Sequence, residues 1–367
     1  MNFQNNYLRN EKVAKNLCNR IAEISKLIPS PKIRIMHVCG THEDTVSKYG
    51  IRGILPDKIE IIPGPGCPVC VTTMKEIDEA ILLAQKCVIT TFGDLLKVPG
   101  SDGRSLASVK AEGGDVRIVY SIFDSIEIAK NCDREVVHIA VGFETSAPIT
   151  ASALMGRELP PNFSILSCHR LVPPALDVLM DDREAKIDGL IDPGHVSTVI
   201  GLRPYEPLTK KYGIPQVIAG FEPNDLLLGI VMLLEMIAEG RIEVGNEYSR
   251  VVKYEGNLKA QKVMEEVFEP FDVAWRGFPV ISGSGLKLKE KFKKFDARVR
   301  FDLTSKGKYD SSLEEAKGCI CGLVLRGRAY PDECALFGKK CTPEHPVGAC
   351  MVSSEGSCGI WYRYGKF

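Results

Sequence analysis

The sequence predicts an α/β fold with parallel sheets followed by a cysteine-rich C-terminal module, and three observations carry that expectation. Short apolar runs of strand type alternate with stretches of helical spacing, a rhythm that calls for helical crossovers between parallel strands. Polar loops containing Cys, Gly, His and Glu follow several of these runs directly. Six of the thirteen cysteines lie between Cys319 and Cys358, in a segment without any long periodic element.

Taken in order, residues 1–30 read as a helix packed on the first domain. Ile33–Val38 is a compact strand-type run ending in Cys39-Gly-Thr-His-Glu-Asp44. Thr41 followed three residues later by Asp44 resembles a capping box, which places Cys39 just ahead of a helix N-terminus. There the helix dipole and the exposed amides favour a thiolate. The run Ile59–Ile62 leads into Pro63-Gly-Pro-Gly-Cys-Pro-Val-Cys70, where prolines fix φ on both sides of Cys67 and make a stiff platform for two thiols. Met74–Gln85 has helical spacing, and Cys87–Thr91 and Arg117–Tyr120 are further strands. A second series repeats the rhythm at Val136–Val141, Phe163–Ser167, Gly189–Ile191 and Gln216–Ala219, then a helix at about 224–238. Gly142-Phe-Glu-Thr145 and Gly220-Phe-Glu-Pro223 form a short echo after two of these strands. Beyond Gly240 the stretch to Arg300 reads as basic and helix-rich, with Lys287–Arg300 as the solvated face of a helix, and a polar linker follows near Thr304–Ser312. The expected division is 1–130, 131–242 and 243–367.

Composition bounds the function. At 44% hydrophobic and 26% charged residues the chain reads as ordinary globular protein. Lys+Arg and Asp+Glu balance at 47 each, so no global field favours nucleic acid or an anionic membrane. The first twenty residues show no signal-peptide pattern, and Leu226–Ile237 is too short to span a bilayer, so a cytoplasmic protein is expected. In such a setting thirteen cysteines point to metal binding or redox chemistry rather than to structural disulfides.

In open α/β sheets ligands bind outside the carboxyl ends of the strands. That rule puts Cys39–Glu43, Gly64–Cys70, Gly142–Thr145 and Pro193–Gly201 on one crevice, where Cys39, Cys67, Cys70, His42, Glu144 and His195 could meet. Plainer roles exist for each: Cys39 as a small buried hydrophobe, His195 as a structural histidine, Glu144 as a helix cap. Cys67-Pro-Val-Cys70 suits either a disulfide or two ligands on one metal. In the C-terminal segment, Cys319, Cys321, Cys334, Cys341, Cys350 and Cys358 exceed the four ligands of a zinc or cubane iron-sulfur site by two. A zinc-stapled module and a cluster with a spare thiol pair both remain open. No P-loop or dinucleotide fingerprint occurs.

Together these loops resemble the HypD family of nickel-iron hydrogenase maturation factors. The family's CGTHE motif is read at Cys39–Glu43, GPGCPVC at Gly64–Cys70, GFET at Gly142–Thr145 and P-x-HVS-x-VIG at Pro193–Gly201. Its cluster signature C-x14-C-x6-C-x16-C falls on Cys319, Cys334, Cys341 and Cys358. Asp44, Thr73 and Ser146 depart from the residues usual in the family, and none of these changes removes a thiol.

The resemblance implies two Rossmann-like α/β domains plus a third that binds a 4Fe-4S cluster through Cys319, Cys334, Cys341 and Cys358. It implies a scaffold for assembling the Fe(CN)2CO centre of the hydrogenase, monomeric outside its complexes, working with a HypC-type chaperone and a HypE-type cyanide donor. Cys39 would hold the iron, Cys67 and Cys70 would cycle between dithiol and disulfide, and Cys321 with Cys350 would be a second redox pair fed by the cluster. His42, Glu144 and His195 would supply protons or orient ligands. The rival expectation, of another class, is a cluster-dependent protein disulfide reductase.

Overall fold

The computed structural model describes residues 7–156, 158–303 and 316–365. The linker expected near 304–312 and the start of the expected first helix lie outside them. The first described long helix is Glu11–Leu27, opened by the Asn10 side chain accepting from the Lys12 and Val13 amides.

Two parallel sheets form the body. One has the order β2-β1-β7-β8-β9, from Ile59–Pro63 (β2), Ile33–His37 (β1), Gly189–Pro193 (β7), Gln216–Ala219 (β8) and Val244–Asn246 (β9). The other has the order β4-β3-β5-β6, from Val116–Ile118 (β4), Val88–Thr91 (β3), Val136–Gly142 (β5) and Phe163–His169 (β6). All pairings within both sheets are parallel. The α/β expectation with parallel sheets therefore holds.

Sheet membership nevertheless cuts across the expected boundary at 130. β1 and β2 share a sheet with β7, β8 and β9, so the chain leaves the first sheet after β2, completes the second, and returns. Strand order is a property of long-range pairing, and a repeating local rhythm carries no record of it.

The period of two along each strand sorts side chains between cores. In β1, Ile33 and Ile35 join a cluster with Leu226, Ile230 and Leu234 of the helix Pro223–Glu239, while Met36 faces the opposite way. In β5, Val136 and Ala140 pack toward the helices Ile122–Lys130 and Ala147–Met155, while Val137, Ile139 and Val141 join Met36. That last cluster is continuous between the two sheets and takes in Cys67, Cys70, Cys321, Cys341, Cys350 and Cys358. The cysteine module is thus seated on the same core as both sheets.

Beyond Gly240 the helical expectation is met only in part, by the helix Leu258–Val267. Phe268–Ala274 (β10) and Val280–Leu288 (β11) form an antiparallel hairpin, and only short helical turns follow at Glu290–Phe295 and Ala297–Arg300. Exposure alternates along β10, the period of a strand half buried on one face. The hairpin leans on the second sheet, where Leu171 N–H donates to the Ser284 carbonyl at 2.8 Å. Among the described residues no helix is long and apolar enough to cross a membrane.

Candidate functional site

Cys39 follows β1 and is itself the N-cap of the helix Gly40–Lys48, with extended φ −148° and ψ 129°. The expected Thr41–Asp44 capping box does not form, because Thr41 already lies inside the helix. Cys39 is buried, and burial together with the nearby Glu355 carboxyl pushes its thiol up to about 11. Amides and the hydroxyl of Thr41 and His42's amide pull the other way without prevailing. The expected thiolate is therefore disfavoured: desolvation outweighs the helix start and holds the proton on sulfur.

The Gly64–Cys70 loop is pressed onto this cysteine. Gly64 N–H donates to the His37 carbonyl at 2.9 Å and Gly40 N–H to the Gly66 carbonyl at 3.1 Å. A Cβ at Gly66 would come within 2.3 Å of the Cys39 backbone, so only glycine permits this approach. Cys67 and Cys70 are joined by a disulfide, with Cα atoms 5.3 Å apart, at the start of the short helix Pro68–Val71. Pro68 at its first position fixes the entry.

His42 is fully buried, and its Nε2 lies 3.0 Å from the Gly220 carbonyl and 3.2 Å from that of Ala219. Two acceptors fix Nε2 as the protonated nitrogen and leave Nδ1 with a free lone pair and no partner among the described residues. Burial and then His37 push this imidazole down to about 3, so it is neutral. His195 is exposed at the start of the helix Gly194–Ile200. Phe221 joins the two histidines, with ring centroids 3.8 Å from His195 and 5.2 Å from His42.

Glu144 is buried, and its Oε1 accepts the Val172 amide at 2.9 Å at the start of the helix Val172–Asp181. The plain capping role is thus realised, on a distant helix. Its Oε2 has no protein partner, and burial pushes the carboxyl up to about 7. Tyr205 connects Glu144 to the rest: this buried phenol lies within electrostatic reach of Asp192, Glu144 and Cys39.

The CGTHE glutamate anchors the C-terminal module. Buried Glu43 accepts from Arg52 Nη2 at 2.7 Å, Arg52 Nη1 at 2.9 Å, Ser47 Oγ at 2.8 Å and Trp361 Nε1 at 2.7 Å, and meets His37 Nε2 at 2.7 Å. Trp361 belongs to the helix Ser357–Tyr364, which also carries Cys358. On the side of the second sheet, Asp94 accepts from the Ser353 and Ser354 hydroxyls and the Ser354 amide.

Within the module, Cys319, Cys321, Cys334, Cys341 and Cys358 line one apolar cavity with Leu336. The Cys319 and Cys321 sulfurs are 3.2 Å apart, and Val347 N–H donates to Cys341 Sγ at 3.3 Å. Cys350 lies outside the cavity lining, and its sulfur meets those of Cys321 and Cys358, which lower its proton affinity. Its helix, Ala349–Val352, packs on Pro68–Val71. Among the described residues, no three His, Cys, Asp or Glu side chains gather around a single-ion site.

The comparisons decide the family. The HypD model, described as the hydrogenase formation hypA family, matches residues 12–365. The chain belongs to the HypD family. A putative hydrogenase expression/formation protein of Methanocaldococcus jannaschii is 51% identical over 94% of this chain and 96% of its own. Hydrogenase maturation factor HypD of Cupriavidus necator is 44% identical, over 92% of this chain and 91% of its own. HypD2 of Bradyrhizobium diazoefficiens is 43% identical over 98% and 96%. This HypD-family chain is accordingly a hydrogenase maturation factor.

Three residues of the candidate site carry no role in the sequence reading: Asp192, Tyr205 and Phe221. The Gly-Phe-Glu echo carried a signal for the last, because both of its phenylalanines stack at strand ends, Phe221 on His195 and Phe143 on Trp275 at 5.7 Å. Nothing local marked Tyr205, which reaches the crevice from the loop after the His195 helix.

Proposed function

We propose that the chain is the scaffold on which the Fe(CN)2CO centre of nickel-iron hydrogenase is assembled with a HypC-type chaperone and cyanide from a HypE-type donor. The observation that supports this most is the contact of Gly66 with Cys39, which sets a buried thiol beside the Cys67–Cys70 disulfide. Iron carrying strong-field diatomic ligands is soft and suits thiolate. Cys39 would take the iron, and because burial keeps its thiol protonated, loading would release a proton and strengthen as pH rises. The Glu144 carboxyl, poised near 7, has the proton affinity to take or give that proton, while His42 Nδ1 offers a lone pair that can orient a ligand.

A 4Fe-4S cluster suits the C-terminal cavity: Cys319, Cys334, Cys341 and Cys358 line it, the wall is otherwise apolar, and an amide already points at Cys341. When bound, such a cluster supplies single electrons. Cys321 and Cys350 would be the accompanying thiol pair, with Cys350 on the helix that touches the disulfide loop. This chemistry belongs in a reducing cytoplasm.

Genetic complementation tests the reading. In a host lacking its own HypD, the chain should restore hydrogenase activity, and Cys39→Ala should leave it at background. Full activity from Cys39→Ala would remove Cys39 as the cargo ligand. Disulfide reduction in a partner protein without any restored hydrogenase would favour the reductase.

A further inference from the structure

Asp192 is the fourth residue of β7 and is fully buried, and no charge among the described residues offsets that burial. Its carboxyl faces the side-chain amide of Gln216, on neighbouring β8, whose nearer atom lies 3.2 Å from both carboxyl oxygens. The other end of the same amide is 2.7 Å from Thr209 Oγ1 and 3.3 Å from the Tyr205 carbonyl oxygen. An amide donates at one end only, so the charge on Asp192 decides which way it turns.

With Asp192 protonated, its O–H donates to Gln216 Oε1, and Gln216 Nε2 donates to Thr209 and to the Tyr205 carbonyl. The shared proton then joins Asp192 to the amide, and only its second oxygen, also 3.2 Å from Gln216 Oε1, faces an acceptor. With Asp192 ionised, Nε2 must turn to the carboxylate and Oε1 accepts from Thr209, so the Tyr205 carbonyl keeps the Thr209 amide at 3.0 Å but loses its second donor and faces another oxygen at 3.3 Å. Tyr205 in turn holds the crevice: its hydroxyl is 3.0 Å from Ser197 Oγ, and Ser197 donates to the Pro193 carbonyl at 2.9 Å. Ser197 lies in the helix Gly194–Ile200 that carries His195.

We propose that Asp192 is a positioning residue that stores a proton in the crevice floor and, through the Gln216 amide and Tyr205, sets the placement of the His195 helix. Tyr205 is the titratable group that faces Asp192, and the further groups within reach of that phenol are Glu144 and Cys39, all of them acids. None offers a positive charge to hold Asp192 ionised, and burial pushes its carboxyl well above the usual range. The inference goes beyond the assembly reading and does not depend on any cargo.

Infrared difference spectroscopy of the cargo-free chain, with aspartate labelled by carbon-13 at the side-chain carboxyl, reads this directly. Asp188, exposed at the start of the same strand region, is the other aspartate among the described residues whose carboxyl desolvation raises, so Asp188→Asn serves as the background. A protonated aspartate band should persist at neutral pH in that background and vanish when Asp192→Asn is added. Its absence at neutral pH in Asp188→Asn overturns the proposal even where Asp192→Asn fails to fold, and so does its survival in the double variant. A native acid that binds its proton more tightly than the unfolded chain loses stability as pH rises between the two pKa values. The midpoint of thermal unfolding should therefore fall more steeply with rising pH in wild type than in Asp192→Asn, and equal slopes would contradict the stored proton. The Gln216 side-chain amide resonance should move with pH in wild type and stand still in Asp192→Asn; a resonance that moves equally in both counts against it.

Discussion

Glu43→Ala is expected to lower the stability of the chain by about 3–5 kcal/mol, the cost of removing one partner from a buried, hydrogen-bonded charge pair. Burial alone would raise the Glu43 carboxyl, but the Arg52 guanidinium and His37 outweigh it and hold the group well below the ordinary carboxylate range. Without that carboxylate, Arg52 faces no compensating anion there, and Trp361 Nε1 loses an acceptor at 2.7 Å. The damage therefore reaches the C-terminal helix as well as the CGTHE helix. A depressed acid contributes its stability above the unfolded pKa and loses it as pH falls toward the folded value. The difference between wild type and Glu43→Ala should accordingly be full at neutral pH and shrink below about pH 4. Chemical denaturation at several pH values measures it. A loss under about 1 kcal/mol at neutral pH would place Glu43 among ordinary surface ion pairs.

Gly66→Ala should separate the two halves of the crevice. The added methyl would meet the Cys39 N and Cα atoms at 2.3 Å, both of them backbone and unable to swing aside. Overpacking of this kind costs about 1–3 kcal/mol, a loss the chain can survive. On the proposed function, Cys39 must stand beside the disulfide loop, so hydrogenase activity in the complementation assay should drop to background although the protein still folds. Gly93→Ala is the control, because its added methyl meets only Ile118, at 3.9 Å, and should leave activity intact. Equal activity in the two variants would show that the contact between the loops is dispensable.

The strands and loops of the site were legible because both are local. Apolar runs such as Ile59–Ile62 became strands almost to the residue, and the loops after them occupy the carboxyl ends where a parallel sheet binds ligands. Pairing order was not legible, since nothing in β1 or β2 announces that β7 will lie beside them. Electrostatics was legible only in part. A cysteine at a helix start suggested a thiolate, but burial depends on what the rest of the chain places on top, here the Gly66 backbone and Glu355. Glu43 stood in the motif from the outset, yet its partner Trp361 lies 318 residues away. The Asp192 arrangement has the same character: an acid, an amide and a phenol from three separate segments acquire meaning only when folded together.

The most direct test of the proposal that Cys39 holds the iron cargo is the infrared spectrum of the chain purified anaerobically after co-expression with a HypC-type chaperone. Wild type should show cyanide and carbonyl stretches, and Cys39→Ala should show neither while still binding the chaperone. Bands of undiminished intensity in Cys39→Ala would contradict the assignment.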